Sequence, residues 1–323
     1  MTKKQQQNIT TTPEVLLKRP TLRLGLCCLF KNESVKFRTT TARALTGLPR
    51  NQQLLKLSDI CLHNARNLEL ALKTVQRLGI GAFRIMSPLF PRMTHPEVGY
   101  SMEQLPDGET ILATLETCRI VAQEHKIRLS FHPDQFVVLS SPTPVVLDNS
   151  VQELAYHGWL ADRLGVDLIN IHAGGVYGDK QAALQRLGEA LNLLPESVRS
   201  RLTVENDDVS YTPQDLLTFC KKYAIPLVYD VHHHRCNPDG LTVEEATAEA
   251  AQTWVQSGRE QYCHISSPKT GWGSTNPKPH ADYISLEDFP RCWYGRTMTI
   301  DVEAKAKELA VVRLMEELQT HSC

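Results

Sequence analysis

Short apolar runs alternate with longer amphipathic stretches along the chain from Arg23 onward. Eight runs read as strands: 23–30, 81–87, 127–132, 167–172, 201–206, 226–233, 261–266 and 297–303. They are largely apolar and unbroken, the pattern of parallel strands covered on both faces. Between them, 52–78, 108–125, 145–164, 180–193, 213–223 and 242–256 repeat apolar residues at helical spacing, with Leu68, Leu72 and Val75 on one stripe. A shorter segment, 285–293, and a charged amphipathic stretch, 304–318, complete the helical series. Thr212 before Pro213 is a helix start: a capping hydroxyl, then a residue whose fixed φ suits the first turn. Eight strand–helix units in succession predict an α/β chain folded as a right-handed (β/α)8 barrel, the TIM-barrel architecture, in one domain over 21–323. A doubly wound open sheet is the runner-up, and its nucleotide-binding forms are weakened because neither GxGxxG nor GxxxxGK[ST] occurs. Residues 1–20, polar and ending at Pro20, predict a disordered N-terminal tail.

Composition narrows the function. Of 323 residues, 41% are hydrophobic, ample for one large core. The 35 basic and 36 acidic residues leave a net charge of −1, which excludes a globally basic nucleic-acid binder but not a local basic face. No apolar run reaches the length of a membrane span, and the first residues lack the apolar core of a secretory signal. The nine cysteines, with no CxxC pair, read as reduced thiols of a cytoplasmic protein.

In an α/β barrel, chemistry sits at the C-terminal ends of the strands. Those ends carry His132, His172, Glu205, Asp230 with His233, His264 and Glu303. Imidazoles and carboxylates are ligands of Mn, Zn and Fe, and one carboxylate can bridge two ions. Within His232–His233–His234, strand alternation sets His233 opposite to its neighbours, but not which side faces the barrel mouth. The glycines of HAGGVYGDK (172–180) suit a close approach to a ligand or simply a tight turn.

The loop after the first strand, 31–50, carries Lys31, Lys36, Arg38, Arg43 and Arg50 against Glu33, a local charge of +4 suited to phosphates. The loop 266–280 adds Lys269, Lys278 and the stacking surface of Trp272. In HPDQF (132–136), Gln135 and Phe136 offer an amide and a ring that could replace the pairing and stacking of a displaced base. Taken alone, the residues favour Phe136 packing beneath its own loop.

Together these segments resemble the UV damage endonuclease family. The resemblance runs from RLGLCC at residue 23 to VEAKAKE at 308. It is carried by FRIMSPLFPRMTHP, FHPDQFVVLSSP, NIHAGGVYGDK, TVEND, VYDVHHHRCNP, HISSP, KPHADY and DVEAKAKE. It implies a metal-dependent DNA repair endonuclease, an endodeoxyribonuclease that cuts immediately 5′ to UV photoproducts (cyclobutane pyrimidine dimers and 6-4 photoproducts) and so initiates excision. It also implies three divalent ions, manganese before zinc, cobalt or magnesium. On matching positions, His132 and His172 would hold one ion, bridged by Glu205 to a second that also takes Asp230, His264 and Glu303. His233 and His280 would hold the third, so the resemblance alone recruits His280 and selects His233. Glu205, His264 and Glu303 would carry catalysis, and His95, Gln135 and Phe136 would contact the lesion, with Lys36, Arg38 and Arg43 on the backbone. The implied partner is double-stranded DNA, bound by a monomer with no protein partner and no membrane, in the cytoplasm at the nucleoid.

Three positions depart from the family pattern: Phe136 where Tyr is frequent, Leu26 where an aromatic residue follows the first-strand glycine, and Tyr262 where some members carry a lysine that can be carboxylated. The alternatives are an abasic-site endonuclease without photoproduct preference, a metal-dependent sugar isomerase on the same barrel, and a damage-binding protein that does not cut.

Overall fold

The computed structural model describes residues 22–321. Eight parallel strands close into a barrel in chain order. They are β1 (Leu22–Cys27), β2 (Ala82–Ile85), β3 (Arg128–Phe131), β4 (Leu168–His172), β5 (Leu202–Glu205), β6 (Leu227–Asp230), β7 (Gln261–Ile265) and β8 (Met298–Val302). Closure is made by β1 against β8, in register from Leu22↔Met298 to Leu26↔Val302. Helices α1 (Arg43–Thr46) and α2 (Arg50–Arg77) follow β1, α3 (Gly108–Glu124) follows β2, and α4 (Pro144–Leu164) follows β3. Next come α5 (Lys180–Ala190) and α6 (Glu196–Arg199) after β4, α7 (Pro213–Tyr223) after β5, and α8 (Val231–Cys236) with α9 (Val243–Val255) after β6. The last, α10 (Glu308–His321), follows β8. The predicted tail, 1–20, lies outside the described residues. Among the described residues, no helix is long and apolar enough to cross a membrane.

The strands alternate in the way a closed barrel demands. One set of positions, including Phe83, Ile85, Leu129, Phe131, Ile169, Ile171, Val204, Ile265, Ile300 and Val302, packs outward in the core against the helices. Leu68, Leu72 and Val75 on α2 are fully buried there, as the helical stripe predicts. Each such side chain contributes roughly 1.5–3 kcal/mol by leaving water. The other set faces the lumen. Leu168, Val228 and Tyr262 form a small apolar plug with Trp254. Nearer the C-terminal ends the lumen is polar, and its hydrogen bonds join strands that are not neighbours. Ser130 on β3 meets Tyr262 on β7 at 3.2 Å, and Arg84 on β2 reaches Asp301 on β8 at 2.9 Å.

Two expected elements differ. The apolar run 226–233 is not one strand, because β6 ends at Asp230 and α8 begins at Val231. The cause is local: the Asp230 carboxylate accepts the backbone N–H of His233 at 2.8 Å, an N-cap that starts a helical turn. Strand alternation therefore does not apply to the three histidines. The segment 285–293 forms two 3-10 turns, Leu286–Asp288 and Arg291–Trp293, and no α-helix, with Pro290 between them lacking the N–H to continue one. The predicted start at Thr212 holds: its hydroxyl accepts from the Asp215 N–H, and the Asp215 carboxylate accepts from the Thr212 N–H at 3.0 Å.

Candidate active site

Glu205 ends β5 and is 1% exposed, yet four polar groups converge on its two oxygens. Oε2 lies 3.0 Å from His132 Nε2 and accepts from the Asn170 amide at 2.5 Å. Oε1 lies 3.0 Å from His264 Nδ1 and 3.3 Å from His233 Nδ1. Register brings these together: His172 pairs with Glu205, and Asp230 pairs with His264. The His172 ring lies 5.0 Å from that of His132. Two groups of potential ligand atoms result, His132–His172–Glu205 and Glu205–Asp230–His264, each within 4.8 Å, sharing Glu205.

The histidine turn resolves on α8. His233 faces the site, 3.5 Å from Asp230 Oδ2, while its Nδ1–H donates to the Asn206 carbonyl at 3.0 Å. His234 turns away to Tyr229 and Asp239, and His232 donates to the Lys278 carbonyl at 3.1 Å. His280 arrives from the loop after β7. An isolated bridge to Pro268 and an Ala281-to-Ser267 bond fold that loop back, which sets His280 Nδ1 3.7 Å from Glu303 Oε2. Glu303 Oε1 lies 3.6 Å from His264 Nδ1. All eight predicted ligands thus meet at one end of the barrel.

The donor set fits divalent cations on chemical grounds. It is imidazole and carboxylate with no thiolate, the preference of Mn, Zn and Fe. His132 Nδ1–H donates to the Pro133 carbonyl at 3.2 Å, so its neutral form leaves Nε2 bare against a carboxylate oxygen. Two electron-rich atoms at that separation need a proton or a cation between them. His172 Nδ1, Asp230 Oδ2 and His264 Nδ1 are buried without a hydrogen-bond partner, which costs free energy unless something fills the space they face. Burial opposes charge on Glu205, but His264, His172 and His132 hold its carboxyl well below the usual range. Burial opposes protonation of His233 too, yet Asp230 and Glu205 raise it well above an ordinary imidazole. Burial lowers His172 and His280.

Beside this centre, the loops after β1, β2 and β3 and helix α4 enclose a cavity of about 590 Å³, lined by Thr39, Arg92, His95, Asp134, Phe136 and Glu153 among others. Ser87, also on its wall, donates to the His132 carbonyl at 2.7 Å, so cavity and ligands share a boundary. Phe136 does not pack beneath its loop: it is 78% exposed. The Asp134 carboxylate accepts the Phe136 N–H at 3.0 Å, a turn that leaves the ring at the cavity rim. Gln135 beside it is exposed, and His95 is half-buried in the wall.

The basic loop is partly committed. Lys36, Arg38 and Arg43 are exposed, but Arg38 pairs with Asp59 at 2.8 Å. Arg50 donates to the Gly99 carbonyl at 2.7 Å and so ties loops together. Trp272 is tied back, its indole N–H donating to Asp288 at 2.7 Å with Arg235 over its ring. Gly174, at φ +87°, is needed for packing: a Cβ there would lie 2.5 Å from Ser140 Oγ.

Sequence reasoning missed Arg84, Asn170 and Asp301, which contact the candidate ligands from below, Asp301 through Arg84. The signal was available. Asn170 and Asp301 stand two residues before His172 and Glu303, hence on the same strand face. Arg84 is a lone charge inside an apolar run.

Comparison with known proteins identifies a family and a shared fold. A family model described as UV-endonuclease UvdE matches residues 22–322. The UV DNA damage endonuclease of Bacillus velezensis is 35% identical over 304 residues, 90% of this chain and 91% of that one. The crystal structure of SacUVDE superposes with a TM-score of 0.80 at 28% identity, covering 93% of this chain and 99% of its own. Endonuclease IV from Thermus thermophilus gives 0.57 at 18% identity over 93% and 99%, which shows a shared barrel fold.

Proposed function

The chain belongs to the UV-endonuclease UvdE family, and on that premise we propose that it hydrolyses the DNA phosphodiester immediately 5′ to UV photoproducts. Cyclobutane pyrimidine dimers and 6-4 photoproducts are the proposed lesions, and the products carry a 3′-hydroxyl and a 5′-phosphate. The observation that carries the reading is the buried Glu205 carboxylate, faced on one oxygen by His132 and on the other by His264 and His233.

His132, His172 and Glu205 would hold one divalent cation, Glu205, Asp230, His264 and Glu303 a second, and His233 with His280 a third, manganese being the proposed metal. Bound there, such cations supply an acidified water near neutral pH and positive charge for the phosphate and the leaving 3′-oxygen. The protein's own part is positioning. Asn170 fixes one Glu205 oxygen, and the Asn206 carbonyl sets the His233 tautomer so that Nε2 is free to ligate. Lys36, Arg38 and Arg43 lie on the loop that would meet the DNA backbone, which explains how a chain of net charge −1 engages a polyanion.

Lesion choice would rest on deformability. A photodimer stacks and pairs poorly, so displacing it costs less than displacing intact bases. The cavity beside the ligands offers room for displaced bases, and Gln135 and Phe136 would fill the gap left in the duplex. All the proposed ligands come from one barrel, so one chain suffices.

The test is nicking of supercoiled plasmid, irradiated or not, with Mn²⁺ or with chelator. Cleavage confined to irradiated DNA with metal supports the reading. Cutting of unirradiated abasic-site DNA at equal rate would replace it with a general abasic-site endonuclease, and no cutting in any lane by metal-loaded protein would refute it.

A further inference from the structure

One layer below the candidate ligands lies a carboxylate that belongs to neither candidate ligand group. Asp301 is fully buried in the lumen, two residues before Glu303 on β8. Both of its oxygens are engaged. Oδ2 accepts from Arg84 Nε at 2.9 Å, and Oδ1 accepts from the Tyr262 hydroxyl at 2.8 Å. Tyr262 in turn lies 3.2 Å from Ser130 Oγ, which donates to it because the phenol proton is already given to Asp301. The fold makes room for this carboxylate: Gly25 is its register partner on β1, and a Cβ there would lie 2.2 Å from Asp301 Oδ1.

The rest of the Arg84 guanidinium points upward. Nη1 donates to Glu303 Oε1 at 2.7 Å, and Nη2 lies 2.9 Å from His264 Nε2. One group therefore touches two candidate ligands and one carboxylate that is not a candidate. A guanidinium keeps its charge at any working pH. Left alone in the lumen, it would compete with a divalent cation for Glu303 and repel it from His264. Paired with Asp301 it is neutralised, its planar fork is fixed, and the charge of Glu205, Asp230 and Glu303 remains for the cation.

We propose that Asp301 is a positioning residue of the metal centre: by neutralising and aligning Arg84, it holds Glu303 ready for a divalent cation without cancelling the attraction of its carboxylate for that cation. This rests on the reading that the site holds divalent cations. Tyr262 serves as the clamp that keeps the Asp301 carboxylate turned to Arg84.

The test is a Mn²⁺ titration of the full chain, stripped with chelator, in competition with a metal-sensing dye, with thermal melts alongside. Wild type that binds no Mn²⁺ would refute the metal reading itself, separately from this inference. With wild type binding, Asp301→Asn should weaken at least one Mn²⁺ equivalent by about 10–100-fold, the usual cost of losing an outer partner of a ligand. Adding Arg84→Met to Asp301→Asn should recover most of that loss, because the uncompensated cation is gone. A packing role predicts the opposite, since two lumen substitutions would be worse than one. Tyr262→Phe keeps every charge, serves where Asp301→Asn does not fold, and should weaken Mn²⁺ binding several-fold. Wild-type Mn²⁺ affinity in Asp301→Asn or in Tyr262→Phe, or a double variant no better than Asp301→Asn, would overturn the proposal.

Discussion

Asn64 on α2 grips the backbone of Arg38 at both ends. Its Oδ1 accepts from the Arg38 amide at 2.7 Å, and its Nδ2 donates to the Arg38 carbonyl at 2.8 Å. The same Nδ2 donates to the Leu89 carbonyl at 2.8 Å, in the loop after β2. Asn67 and His63 treat Lys36 alike, one accepting from its N–H at 3.0 Å and the other meeting its carbonyl at 2.8 Å. A loop with little regular structure is thereby held rigid, with its basic side chains outward.

Asn64→Ala should release this loop. The substitution strands a backbone N–H and two carbonyls, a cost of about 1–3 kcal/mol in stability by chemical denaturation. Affinity for DNA should fall for damaged and undamaged duplexes alike, because phosphate contacts carry no lesion information. A fall confined to damaged DNA would show that the loop reads the lesion instead.

Glu205→Gln removes the charge shared by both ligand groups while keeping the shape. Nicking of irradiated plasmid should drop by about 100-fold or more, as loss of even an outer partner costs 10–100-fold. The barrel should persist by circular dichroism, since the strand pairing and the outward core on both sides of Glu205 are untouched and the amide keeps the Asn170 hydrogen bond. Near-normal nicking by the folded variant would refute the assignment of Glu205.

Phe136→Ala should leave stability unchanged, the ring being already in solvent. Binding to photodimer-containing duplex should weaken by about 1–3 kcal/mol, the value of one base–aromatic stack. Equal weakening on undamaged duplex would make Phe136 a general contact.

His157, buried on α4, gives a pH signature independent of the candidate site. Burial pushes its imidazole down to about 4, although its Nδ1–H donates to the Glu153 carbonyl at 2.8 Å. The unfolded chain, with an imidazole near 6.5, binds the proton more readily than the folded one. Stability from this residue is therefore present above about pH 6.5, is lost as pH falls toward 4, and changes no further below that. The full loss is about 3 kcal/mol at ~1.4 kcal/mol per unit. His157→Phe should show a smaller drop in unfolding free energy between pH 7 and pH 4.5, and an identical drop would refute the point.

The barrel was legible because eight apolar runs and their helical spacers repeat without interruption, and parallel strands tolerate little else. The strand-borne candidate ligands were legible because metal-binding side chains recur at or near the ends of those runs. His280 was not, because a loop residue has no period to betray it, and only folding back across Pro268 brings it in. The turn at His232–His234 reads as strand in the sequence, since residue counting does not weigh one capping carboxylate at Asp230 against an apolar run. Phe136 escapes for a related reason: an Asx turn at Asp134 decides whether the ring goes under the loop or out of it, and hydrophobicity alone does not. Arg84 and Asp301 are hidden because the lumen is read as core, where charges are unexpected unless paired across it.

The hydrogen bonds that cross the lumen have a bearing on how this protein dies. Ser130 to Tyr262, Tyr262 to Asp301 and Arg84 to both Asp301 and His264 rivet β2, β3, β7 and β8 together beneath the reactive end. A site built on loops alone can fray and reclose while its scaffold stands. Here the floor of the site is bonded across the barrel wall, so the strand-borne candidate ligands cannot loosen without loosening the strands that carry them. Heat that melts this lumen network therefore takes the strand-borne part of the site with it.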